Sequence, residues 1–137
     1  MKYPLTTPVT GTWTLEPRSG LIKQIVKTLR YDFKTKSWFN SLGLRNPGIN
    51  KGIEKHKHGE IMSISAIKKG DWKRLSKVIP KQTPLELNIS CPNITHHEDY
   101  IEGVEIFSEQ SMRNPIVKLS PTDDNKIIDI LFEMGFK

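Results

Sequence analysis

The chain has 137 residues, of which 36% are hydrophobic and 26% charged, with a net charge of +6. That composition suits one folded domain and excludes both a disordered chain and a pair of full-sized domains. It holds no run of 18 apolar residues, so no segment is a candidate transmembrane span. The opening MKYPLTTPVTG has no apolar signal-peptide core, and a single cysteine cannot form an intrachain disulfide. A cytoplasmic protein is therefore expected.

In chain order the sequence alternates strands with helices. Residues 6–14 (TTPVTGTWT) are rich in Thr and Val, and part of this stretch is predicted to form a first strand. Residues 20–46 fit no βα unit and are expected to form an inserted loop with its own turn or hairpin. A short basic helix is predicted over 48–57. The β-branched stretch EIMSISAI, residues 60–67, predicts a second strand. Trp72, Leu75, Val78 and Ile79 stand at helical spacing, with Gly70-Asp71 as the start signal. Residues 84–90 (PLELNIS) predict a third strand and 98–112 a helix carrying Tyr100, Ile101, Val104, Ile106 and Phe107. A fourth strand is predicted over 115–120 (PIVKLS). A last helix over 122–134 opens with Thr-Asp-Asp, a cap with favourable first-turn charge. The last three strands are centred about 25–30 residues apart, which suits parallel strands joined by helical crossovers.

The charge is divided. Residues 1–81 carry 17 Lys and Arg against 5 Asp and Glu, and residues 82–137 carry 4 against 10. Opposed solvated surfaces account for this, and no Arg-rich or aromatic-interleaved basic tract marks a nucleic-acid partner. Neither nucleic acid nor a membrane is expected as a partner. His56, His58, His96 and His97 match no zinc spacing, and His96 and His97 are adjacent, so no metal is expected. Trp13, Trp38 and Trp72 are read as packing residues, with Trp38 at a loop.

The chemistry concentrates in residues 85–93, LELNISCPN. The two-residue period of a strand sends Asn88 and Ser90 to one side, and Cys91 follows in a turn fixed by Pro92. In parallel α/β folds, ligands bind at this carboxyl end of the strands. Amides both donate and accept, which suits the imide edge of a heterocycle. A thiol can serve as nucleophile, metal ligand or general base, and a lone cysteine is more often a small buried apolar residue.

The Asn-Ile-Ser-Cys-Pro-Asn run resembles the strand-end motif of the dihydroorotate dehydrogenases, and its Cys resembles that of the soluble class 1 enzymes. Residues 39–50 (FNSLGLRNPGIN) are similar to that family's substrate loop. Residues 115–121 (PIVKLSP) resemble its next strand, and residues 14–18 (TLEPR) the segment after an early strand. The resemblance spans about residues 9–135. It implies an α/β fold, a partial (β/α)8 TIM barrel with about four parallel strands, that binds FMN and oxidises dihydroorotate to orotate in pyrimidine biosynthesis. Cys91 would be the catalytic base. Asn40, Ser41, Leu42, Gly43, Leu44, Asn88 and Asn93 would bind substrate. Gly11, Thr12, Ser63, Asn88 and Lys118 would bind the flavin.

Three departures accompany the resemblance. Gly11 stands where class 1 enzymes usually carry a lysine. Residues 20–27 (GLIKQIVK) replace the family's Gly-Asn-Pro-x-Pro-Arg segment. A complete barrel takes about 250 residues, so residues 1–137 are read as a single, incomplete domain. A homo-oligomer or a complementary barrel half is the expected protein partner. Two alternatives stand beside this reading: a dihydropyrimidine dehydrogenase-like flavin enzyme, and a non-catalytic half-barrel that binds a partner chain.

Overall fold

The computed structural model describes residues 6–90, 97–109, 115–120 and 125–136. Its centre is a parallel sheet of β3 (Met62–Ile64), β4 (Leu85–Asn88) and β5 (Ile116–Lys118), in that order. Met62 stands beside Leu85 and Ile64 beside Leu87, while Asn88 stands beside Lys118. Each neighbouring pair of strands is joined through a helix, α3 (Asp71–Val78) and then α4 (His97–Ser108). The expected alternation is thus present, with α5 (Asn125–Glu133) following β5.

The first predicted strand is much reduced. Residues 6–14 run beside β3 but form only two isolated parallel bridges, Val9 with Ile61 and Trp13 with Ile64. Pro8 lacks an amide proton and Gly11 lacks a side chain, and both weaken a regular ladder. Backbone bonds still hold the segment in place: Trp13 N–H donates to Ser63 O at 2.8 Å, and Ser65 N–H to Trp13 O at 2.9 Å.

Residues 20–46 hold more order than the sequence predicts. They contain a helix, α1 (Leu21–Thr28), followed by the hairpin of β1 (Arg30–Asp32) and β2 (Ser37–Phe39). The hairpin is as expected and the helix is not. A short helix, α2 (Ile49–Lys55), then leads to β3.

The two faces of the parallel sheet differ. Met62, Ile64, Leu85 and Leu87 form one face and are fully buried in a single core with Trp72, Leu75, Val104 and Phe107. The Trp72 and Phe107 rings meet edge to face at 6.2 Å, tying α3 to α4. Each such buried side chain contributes about 1.5–3 kcal/mol. The opposite face carries Ser63, Glu86 and Asn88, because side chains alternate along each strand. Thr12 joins this polar face from the first segment through a hydrogen bond with Ser63.

Candidate functional site

The site is built from the polar face upward. Ser63 and Glu86 are register partners, and Ser63 Oγ donates to Glu86 Oε1 at 2.7 Å. The hydroxyls of Thr12 and Ser63 lie 2.9 Å apart. Asn88 Nδ2 donates to Thr12 Oγ1 at 2.8 Å, and Asn88 Oδ1 accepts from Ser90 Oγ at 2.6 Å. Five residues from three chain segments therefore form one hydrogen-bonded set.

The Asn88–Thr12 bond also reports curvature. β3 lies between these two residues. Alternate strands of a flat sheet are about 9.5 Å apart, with side chains standing perpendicular to it. Two short side chains meet across that gap when the sheet is concave toward them. The polar face is the inside of a curved sheet.

A loop over residues 40–48 closes one end of this face. Asn46 secures it with all four of its amide hydrogen-bonding functions. Its Oδ1 accepts from Thr14 N–H at 3.3 Å and Gly48 N–H at 2.8 Å. Its Nδ2 donates to Thr14 Oγ1 at 2.9 Å and Leu44 O at 2.8 Å. Gly43 and Leu44 both adopt left-handed backbone, with φ of 64° and 48°. For leucine that costs about 1–2 kcal/mol, and the Asn46 contact holds its carbonyl in place. Arg18 and Arg45 lace the loop to residues 18–19: Arg18 N–H donates to Asn46 O, and Arg45 Nη1 to Ser19 O.

Residues 40–45, with Arg18, Gln24, Asn88 and Ser90, line an open cavity of about 780 Å³. Asn40, Ser41, Leu42, Gly43, Leu44 and Asn88, singled out as substrate-binding residues, all line it. Thr12, Ser63 and Asn88, singled out for the flavin, share the hydrogen-bonded set beside it. Gly11 is exposed, and a Cβ there would meet open space. Lys118 is exposed beside Asn88 on the outer strand of the described sheet, an arrangement in which a lysine bears little desolvation cost. Cys91 and Asn93 lie outside the described residues.

Several contributors escape the sequence reading. Glu86 could have been found, since it stands two positions before Asn88 and so on the same face. Arg18, Gln24, Arg45 and Asn46 carry no periodic signal. Arg45 Nε is buried with no hydrogen-bond partner among the described residues. Among the described residues no three His, Cys, Asp or Glu side chains stand together as a metal site, and no helix is long and apolar enough to cross a membrane.

No family model matches this chain, and neither a curated protein nor a solved structure matches it.

Proposed function

We propose that this chain belongs to an FMN-dependent enzyme that oxidises dihydroorotate to orotate, and that its curved sheet is part of a (β/α)8 barrel. One observation carries the reading. The two segments that resemble the dihydroorotate dehydrogenases, residues 39–50 and 85–93, lie far apart in sequence, yet Asn40–Leu44 and Asn88 line one cavity. The concave polar face beside it supports the barrel reading, since a barrel's interior is the concave side of its sheet. Closure would need more strands than the three of the described parallel sheet.

The donor set fits both proposed ligands. Hydroxyls and amides donate and accept, so Thr12, Ser63 and Asn88 suit the heteroatom edge of a flavin ring on exchanging the bonds they now make with one another and with Glu86 and Ser90. The same property suits Asn40 and Asn88 to the pyrimidine imide. Arg18 and Arg45 bring positive charge to the cavity, where a substrate carboxylate would gain a charge-assisted bond. A flavin, when bound, supplies the two-electron acceptor. Cys91 follows Ser90 directly and would take a proton from the substrate's ring carbon. The Ser90–Asn88 bond would orient the chain just ahead of it.

The test is FMN binding by visible absorbance, with dihydroorotate-dependent dye reduction, on the chain and its Cys91→Ala variant. The expected result is bound yellow flavin in both and dye reduction only with Cys91. Failure to bind FMN once the chain is joined to the further strands that close the barrel sinks the cofactor assignment. Turnover retained in Cys91→Ala removes the base assignment, and reduction of uracil in place of dihydroorotate oxidation removes the substrate assignment.

A further inference from the structure

Helix α1 is oriented opposite to the usual amphipathic arrangement. Leu21, Ile22, Ile25, Val26 and Leu29 fall on one arc of the helix by its 3.6-residue period. Such an arc normally faces the core, yet α1 has no buried residue, and Ile22 and Val26 are 78% and 76% exposed. It is the polar side that docks. Gln24 Nε2 donates to Ser41 O at 2.9 Å, and Thr28 Oγ1 accepts from Ser41 N–H at 3.2 Å.

The hairpin that follows carries a second exposed apolar cluster. Tyr31 packs against Phe33 at 4.9 Å and Trp38 at 5.0 Å. This cluster faces outward, with Phe33 83% and Trp38 64% exposed. The same stretch, residues 20–40, carries Lys23, Lys27, Arg30, Lys34 and Lys36 against the single acid Asp32. Helical geometry sets Lys23 and Lys27 along one border of the apolar arc.

We propose that α1 and the β1–β2 hairpin dock on an anionic lipid bilayer surface. An apolar arc lying in the interface, lysines at its border reaching the headgroups, and Trp and Tyr at the boundary are the features of a surface-lying element. Five cations complement an anionic leaflet. The aliphatic arc distinguishes lipid from RNA, which would use the aromatic and basic groups but leave Leu21, Ile22, Val26 and Leu29 exposed. Docking needs no membrane span. It departs from the sequence expectation of no membrane partner, which read the basic half as a solvated surface, and it is independent of the proposed enzymatic activity.

The experiment is co-sedimentation of the full chain with vesicles of phosphatidylcholine alone and with phosphatidylserine added. Binding is expected only with phosphatidylserine and should weaken as salt rises. Each Lys or Arg near the surface changes partitioning about fivefold, so Lys23→Gln with Lys27→Gln should weaken binding about 25-fold. Ile22→Ser with Val26→Ser should also release the chain, with unchanged far-ultraviolet circular dichroism. The proposal is overturned if phosphatidylserine vesicles fail to sediment the chain. It is equally overturned if the Ile22/Val26 variant binds them as well as the parent, or if those substitutions instead dissociate a dimer seen by light scattering.

Discussion

Asn88 Nδ2 donates to Thr12 Oγ1 at 2.8 Å across 76 positions of sequence and over an intervening strand. Thr12 Oγ1 also bonds Ser63, so one hydroxyl joins all three segments of the polar face. Ser63 and Asn88 are almost fully buried. Removing the hydroxyl leaves buried groups unpaired, at a cost of about 1–3 kcal/mol. Thr12→Val should therefore lower stability in urea denaturation by that amount, and Thr12→Ser should restore most of it. Equal stability of the Val and Ser variants would show that the Thr12 hydroxyl contributes nothing.

Gly103 sits inside α4, where alanine would normally gain about 1 kcal/mol of helix propensity. Here a Cβ would lie 2.5 Å from the Trp72 ring, which is itself 1% exposed and packed against Phe107. The ring has little room to move, and overpacking of this kind costs about 1–3 kcal/mol. The overpacking outweighs the propensity. Gly103→Ala should lower the thermal midpoint, whereas a raised midpoint would mean that α4 can shift away from α3.

Asn46 is predicted to control the cavity from outside it. Its four hydrogen bonds join Thr14, Leu44 and Gly48, but the side chain is not among the cavity-lining groups. Asn46→Ala leaves the buried Thr14 hydroxyl without this partner and frees the Leu44 carbonyl, at about 1–3 kcal/mol. Under the proposed function, calorimetry should then show weaker binding of orotate to the folded variant, because residues 40–44 lose their anchor. Unchanged affinity alongside reduced stability would restrict Asn46 to a structural role.

The contrast between Asn46 and α1 explains which features the sequence discloses. Strands β3 and β4 and helices α3 and α4 follow from hydrophobic period, because Met62, Ile64, Leu85, Leu87, Trp72, Leu75, Val104 and Phe107 face the core; β5 and α5 follow from the same period although Ile116 and Phe132 are exposed. Leu21, Ile22, Ile25, Val26 and Leu29 also have helical spacing, but they bury nothing, and the helix docks through Gln24 and Thr28. A reading that equates apolar period with core contact misses it. Asn46 works through four hydrogen bonds to residues up to 32 positions away, and such a hub has no period at all. The first strand fails for a third reason: Thr and Val favour it, while Pro8 and Gly11 interrupt its ladder.

The β1–β2 turn should respond to acid through Asp32. Its carboxylate accepts from Lys34 N–H at 2.9 Å and Thr35 Oγ1 at 2.8 Å. These bonds, the Lys34 one foremost, favour the charged form and hold its pKa below the ordinary 3.8. A carboxyl lowered on folding stabilises the fold at pH values above the ordinary one, and that contribution is lost as pH falls through the lowered value. Carboxyl-carbon NMR titration should place Asp32 below 3.8, and Thr35→Ala should move it upward by removing the hydroxyl bond. The amide exchange of Ser37–Phe39 should quicken over the same acid range, since the turn sets the register of Asp32 against Ser37. A titration at or above 3.8, or one unmoved by Thr35→Ala, would refute this account of the turn.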